Sequence, residues 1–241
     1  AFDVKFTSDK GSLDYVWATS WGVSTRLIGA LIMTHSDNKG LVLPPNLAPY
    51  QVVIVPIYKG SEQQKQIAQV ALKIKLLLEE KNIRVKFDNR DKFKPGFKFN
   101  EYELKGVPIR IAIGPNDLKK GSVEIARRDN LSKTVISQEE VVSYIDLHLK
   151  EIQLALFDKA KSFREQKITT VDNFEDFKKI LDKKGGFISA HWDGTELTEQ
   201  AIKKETKATI RCIPFNQDID NLKCIYSGNA AQYKVIFSKA Y

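Results

Sequence analysis

Cysteine is nearly absent: Cys212 and Cys224 are the two in 241 residues. A single pair builds no disulfide framework, and such usage fits a reducing, cytoplasmic setting. No apolar run approaches the roughly 20 residues that span a bilayer, so no transmembrane helix and no membrane partner are expected. The opening residues, Ala1-Phe2-Asp3-Val4-Lys5-Phe6, have neither an initiator methionine nor the pattern of a signal peptide. They read as an extended strand already under way, so the start of a longer protein is expected to be missing. There is no internal repeat and no low-complexity segment. The remainder is ordinary for a globular chain, 42% hydrophobic and 28% charged, and long enough for two domains plus a piece. The excess lies in positive charge. A net +8 favours an anionic partner without proving one.

One stretch organises the rest. Leu13 to Trp21 carries strand chemistry in Tyr15, Val16, Trp17 and Trp21, and Gly22 breaks it. Val23, Leu27, Ile28, Leu31 and Ile32 then recur at helical spacing. Arg26 falls in the first helical turn, where the macrodipole disfavours a cation. An anion held at that turn would explain it, since free helix N–H groups attract anions. A solvated arginine on a core helix is the plainer alternative, and simple core packing is the plainer reading of Trp17 and Trp21.

Further along, Pro44 to Pro49 reads as a linker. Gln51 to Ile57 is apolar enough for a strand buried on both faces. Ser61 with Gln64 opens an amphipathic helix to about Lys81. Strands are expected at 83–87, 107–113, 122–127 and 131–136, with a hairpin turn at Asp129-Asn130. Ser137 with Glu140 caps a helix running to about Lys167, and Asp172 with Glu175 opens another. Gly185-Gly186 breaks that helix, 187–192 is a strand, and Thr195 with Thr198 caps a further helix. Segments 208–214, 223–226 and 234–237 complete the strands. Alternating buried strands and helices imply a mixed or largely parallel α/β sheet.

Residues 81–110 hold nine basic and four acidic side chains, with Phe87, Phe93, Phe97, Phe99 and Tyr102 interleaved. Basic groups follow phosphates, and exposed rings offer stacking faces to unpaired bases. Pro95-Gly96 suggests a loop presenting them. The plainer alternative is buried phenylalanines with a solvated lysine face.

Thr19-Ser20-Trp21-Gly22, Ser24-Thr25-Arg26 and Gly40-Leu41-Val42-Leu43-Pro44-Pro45 together resemble motif 3 of the class II aminoacyl-tRNA synthetases, in the prolyl form. Asp88-Asn89-Arg90-Asp91, Pro95 to Glu101, Glu103 to Pro108 and Ile113-Gly114-Pro115 resemble its anticodon-binding domain. Ala190 to Gly194, Arg211 to Phe215 and Ala240-Tyr241 resemble the C-terminal domain of the eukaryote- and archaeon-like prolyl enzymes. The resemblance implies three parts. Residues 1–46 would be the motif 3 piece of an antiparallel class II catalytic sheet, 47–155 an α/β anticodon-binding domain, and 156–241 a small α+β domain. It implies proline–tRNA ligation, with ATP and Mg as the substrate complex, and proline and proline tRNA as partners. Arg26, Ser24 and Thr25 would hold ATP, with Arg26 counted as catalytic. Ser20, Trp21 and Gly22 would border proline, and Arg90, Lys98 and Phe97 would meet the anticodon arm. Motifs 1 and 2 would lie upstream, so the fragment alone is expected to be inactive and the intact enzyme a homodimer. Related C-terminal domains often hold a four-cysteine zinc site. The matching positions are Asp193, Thr198, Cys224 and Ser227, and one cysteine cannot close a tetrahedral site, so no zinc is expected. His148 and His191 are read as structural. Tyr241 is the residue whose carboxylate would reach toward the catalytic domain. A non-catalytic tRNA-binding accessory protein is the alternative function.

Overall fold

The computed structural model describes residues 3–215, 217 and 222–239. The chain divides into two compact units, 1–153 and 154–241.

The first unit opens with a hairpin of β1 (Lys5–Thr7) and β2 (Leu13–Tyr15), antiparallel around the Ser8–Ser12 turn. The second strand ends six residues earlier than expected. Val16 N–H still bonds to the Val4 carbonyl, but no strand among the described residues pairs beyond it. Ala1 and Phe2 lie outside the described residues. Helix α1 (Arg26–His35) follows, and neither the hairpin strands nor this helix buries a residue.

The body of the unit is a five-stranded sheet of β3 (Val52–Pro56), β4 (Val85–Phe87), β5 (Ile109–Ile113), β6 (Ser122–Arg127) and β7 (Lys133–Ser137). Its order is β4-β3-β5-β6-β7, with β4, β3 and β5 parallel and the β6–β7 hairpin antiparallel. Every residue of central β3 is buried, which is why its sequence is apolar without alternation. Helix α2 (Ser61–Glu79) covers the sheet with Ile67, Ala71, Ile74 and Leu78, spaced along one face. Its N-cap is Gly60, not Ser61, and no side chain caps it. Two helices were not foreseen, α3 (Pro95–Leu104) and α4 (Pro115–Lys120). Both begin on proline at N1, where the ring's fixed φ is already helical and the missing N–H costs nothing. The Pro95-Gly96 pair therefore starts a helix instead of marking a loop. Segment 41–43 is not a regular strand, though Leu41 and Leu43 N–H groups bond to the Leu104 and Gly106 carbonyls.

Helix α5 (Val141–Gln166) starts after a turn in which Ser137 is still the last strand residue, so the expected Ser137 cap is displaced. The second unit holds β8 (Ile168–Thr170), α6 (Phe174–Lys183), β9 (Phe187–Trp192), α7 (Glu196–Thr206), β10 (Ala208–Cys212) and β11 (Tyr233–Lys239). The sheet order is β10-β11-β9-β8, with β8 parallel to β9 and the other pairs antiparallel. Phe177, Ile188, Ala190, Ile202, Val235 and Phe237 form its core. Asn173 caps α6 by accepting from Asp176 N–H, one residue later than expected, and Thr195 caps α7 as expected. Segment 223–226 is not a regular strand: it makes the isolated Lys223–Ala230 bridge and bonds the Ile225 N–H to the His191 carbonyl of β9 before turning. Ala240 and Tyr241 lie outside the described residues.

Candidate nucleic-acid interface

The basic, aromatic segment is organised by one buried carboxylate. Asp88, 1% exposed at the end of β4, accepts from Arg90 N–H and Nε through Oδ1 (3.1 and 2.9 Å) and from Arg90 Nη2 through Oδ2 (2.7 Å). Burial pushes its pKa up, but the Arg90 bonds and the nearby Lys98 charge outweigh it and hold it at about 2. Arg90 Nη2 also reaches Glu101 Oε2 at 2.5 Å, which Lys105 meets from the other side. The Arg90 guanidinium lies 4.9 Å over the Phe93 ring, and Phe93 stacks on Phe97 at 4.6 Å. Arg90 and Phe97 remain 39% and 52% exposed, so a charge and two rings are layered at the surface.

Lys98 is different. It lies on the inner face of α3, 2% exposed, with Nζ donating to the Asp88 carbonyl at 3.0 Å and 3.6 Å from Asp88 Oδ1. This corrects the expectation of a surface phosphate contact. The ammonium is spent inside, where an unpaired charge would cost several kcal/mol.

A second feature was missed from the sequence. Arg110, the lone charge in the apolar strand β5, stacks its guanidinium 3.5 Å over Phe99 and sets Nη2 3.5 Å from Glu124. Its Nη1 is buried without a hydrogen-bond partner, and desolvation lowers its pKa. Arg110 lines a cavity of about 240 Å³ shared with Lys39, Phe99, Glu103, Arg127 and Lys133. A stacked guanidinium with a spare donor is suited to the acceptors of a base edge or a phosphate. The available signal was an arginine flanked by Ile109 and Ile111, both fully buried.

The residues expected around ATP and proline stand apart from this cavity in sequence. Arg26 is the first residue of α1, as its position in the pattern implied. Its N–H lies 3.4 Å from Ser24 Oγ, Thr25 is the N-cap without a side-chain bond, and the first turn carries no acid. Arg26 makes no ion pair among the described residues. Ser20, Trp21 and Gly22 lie in irregular chain, with Trp21 92% exposed. Val23, Leu27, Ile28 and Met33 add to this uncovered apolar surface.

Comparison with known proteins now bears on these features. Residues 51–147 match the anticodon binding domain model, and 174–241 match the model for the prolyl-tRNA synthetase C-terminal domain. The chain is 60% identical over its full length to the proline–tRNA ligase of Christiangramia forsetii and 57% to that of Flavobacterium johnsoniae. It covers 49% of each relative, so it spans about half the length of the curated relatives it matches. The crystal structure of Cryptosporidium parvum prolyl-tRNA synthetase, complexed with L-proline and AMP, superposes with a TM-score of 0.87 at 38% identity. That match covers all of this chain and 50% of the other. This chain corresponds to the C-terminal region of prolyl-tRNA synthetases. The non-catalytic accessory reading is not favoured, because the relatives are named as ligases.

Some prolyl-tRNA synthetase C-terminal domains carry zinc, and the residues here do not fit it. Asp193 Oδ2 accepts from Thr198 Oγ1 at 2.8 Å and Ser227 Oγ at 2.6 Å, while Oδ1 accepts from Thr195 N–H and Oγ1 at 3.1 and 2.9 Å. Three of the four matching positions, Asp193, Thr198 and Ser227, are thus hydrogen-bonded together and supply no thiolate for a metal. Among the described residues, no group of three or more His, Cys, Asp or Glu is placed to hold a metal. Cys224 is buried, and Cys212 is exposed. His191 is buried in β9, where desolvation first and the Lys234 charge second lower its pKa. His148 stacks on Tyr144 and bonds to its carbonyl through Nδ1. No helix of the described residues is long and apolar enough to cross a membrane.

Proposed function

We propose that this chain is the C-terminal part of a proline–tRNA ligase, which joins proline to AMP from ATP and then passes proline to its tRNA. In the first step the proline carboxylate attacks the α-phosphate in line and pyrophosphate leaves. Catalysis here is positioning and charge stabilisation. Arg26 grips a phosphate of ATP, supplied with Mg, while Ser24 and Thr25 lie beside the nucleotide at the uncapped start of α1. Ser20, Trp21 and Gly22 border the proline ring. The exposed apolar surface of residues 13–33 packs against the rest of a class II catalytic domain, in keeping with the rule that such patches mark interfaces. Without that rest, the fragment does not catalyse the reaction. In the whole enzyme we assign a homodimer in the cytoplasm, a metal-free C-terminal domain, and the division into 1–46, 47–155 and 156–241.

The anticodon arm is read by the second of these parts. The observation that carries this reading is Arg110, ring-stacked in a cationic cavity with one buried N–H group unpaired. A base in that cavity lies beside the Phe99 ring and the Arg110 guanidinium stacked on it. Arg90 and Phe97 meet the arm at the surface, and Lys98 holds Asp88, and through it Arg90, in place. The test is aminoacylation by the full-length enzyme carrying Arg110→Ala, with proline tRNA and an anticodon-substituted tRNA. A base contact of about 1–3 kcal/mol predicts a roughly 5- to 150-fold loss of kcat/KM with proline tRNA and little change with the substituted one. An unchanged preference between the two tRNAs refutes the assignment.

A further inference from the structure

Arg128 follows β6 directly, is 4% exposed and lines the same cavity as Arg110. Its guanidinium makes four hydrogen bonds. Nη1 and Nη2 form a forked pair with the two Asp37 oxygens at 2.8 and 2.6 Å, Nη2 also meets the Gly40 carbonyl at 3.1 Å, and Nε meets the Glu103 carbonyl at 3.0 Å. Asp37 and Gly40 belong to the turn that follows α1, which starts two residues beyond its end at His35. Glu103 sits in the last turn of α3 and lines the Arg110 cavity. One side chain thus ties the end of the helix that starts at Arg26 to the wall of that cavity.

The tie is tight on both sides. Gly40 packs so closely on α3 that a Cβ there would lie 2.6 Å from Leu104 Cα, and a Cβ on Gly106 would lie 2.6 Å from the Leu41 carbonyl oxygen. The Leu41 and Leu43 N–H groups close the seam onto the Leu104 and Gly106 carbonyls. A forked, charge-assisted pair fixes direction as well as distance. A displacement of the α3 end when a base enters the cavity must therefore move the 37–43 segment with it, because packed groups shift together.

We propose that Arg128 is a positioning residue that couples occupancy of the Arg110 cavity to the placement of α1, so that a correct anticodon raises kcat. This rests on the anticodon reading above. With four of its five N–H donors engaged inside the protein, Arg128 acts in this proposal through those bonds and not as an RNA contact. The coupling is carried by a charge pair and two backbone carbonyls, not by a shared ligand.

The experiment uses the full-length enzyme with Arg128→Lys, which keeps the charge and loses the fork, and with Asp37→Asn, a change at a half-exposed side chain that serves if the first variant fails to fold. Proline-dependent ATP–pyrophosphate exchange without tRNA, tRNA Kd, and kcat and KM for proline tRNA and an anticodon-substituted tRNA are measured for each. The expected result is exchange and Kd close to the parent, with the kcat ratio between the two tRNAs reduced about tenfold, a coupling of the size usual between linked sites. A purely structural role lowers kcat for both tRNAs alike and leaves the ratio at the parent value, which overturns the proposal. A large loss of tRNA affinity also overturns it, since it makes Arg128 a direct contact. A parent enzyme that does not distinguish the two tRNAs refutes the anticodon reading itself, and this inference with it.

Discussion

Replacing Asp193 by alanine tests how the second unit holds together where related domains use zinc. Asp193 is 4% exposed and joins the end of β9, the start of α7 and the turn around Ser227. Burial acts to raise its pKa. The bonds from Ser227, Thr198 and Thr195 outweigh this and hold the carboxylate below its usual range. Hydrogen bonds to a charged group contribute about 1.5–3 kcal/mol each, and they are not fully additive. Losing the Thr198 and Ser227 bonds together should cost about 3–5 kcal/mol, and Ser227→Ala alone about 1.5 kcal/mol. In a domain of this size each kcal/mol moves the midpoint by about 4–8 °C, so Asp193→Ala should lower Tm by on the order of 12–40 °C. Scanning calorimetry gives the shift, and hydrogen-exchange mass spectrometry should show lost protection in the 222–230 turn first. Chelator should leave the parent midpoint where it was, and elemental analysis should find no stoichiometric zinc. A variant melting within about 3 °C of the parent would refute the hydrogen-bond account. A chelator-sensitive transition would refute the metal-free one.

In the full-length enzyme, Arg26→Ala should slow proline-dependent ATP–pyrophosphate exchange by about a hundredfold or more, the usual cost of a lost preorganised charge. An unchanged rate makes Arg26 a solvated surface residue. Arg90→Ala should weaken tRNA binding and reduce the salt slope by about one, whereas Lys98→Met should leave the slope intact because that ammonium is buried. Equal slopes for the two variants would contradict the burial argument. Acid should destabilise the first unit through Asp37 and Asp88. Both are held at about 2, Asp37 chiefly by its Arg128 hydrogen bonds and Asp88 by Arg90 against its own desolvation. With folded values below the ordinary aspartate value of 3.8, their contribution is complete above that pH and is lost as pH falls through 3.8 toward 2. Urea midpoints at pH 5 and pH 3 for the parent and Asp37→Asn measure it. A pH dependence unaltered in the variant counts against Asp37.

Local chemistry was enough for much of this protein. The apolar run at 52–56 had to be a strand covered on both faces, because a continuous apolar sequence has no face left for water. The helical spacing of Ile67, Ala71, Ile74 and Leu78 specified the buried face of α2, and Arg26 was legible as the start of a helix. The order of motifs was sufficient for the prolyl-tRNA synthetase resemblance. The helix at 95–104 was misread because proline and glycine mark both turns and helix starts, and packing of Tyr102 against Val53, Val55 and Val107 resolves the ambiguity. Lys98 and Arg90 read alike as basic residues in a basic segment. Tertiary structure alone separates them, turning one inward onto Asp88 and leaving the other beside exposed rings. Arg110 and Arg128 show the same limit. Their partners Phe99 and Glu124, and Asp37 and Gly40, come from other elements, up to 91 residues away. Sequence determines which residues prefer to be buried or paired, while the fold determines which distant group is close enough to satisfy them.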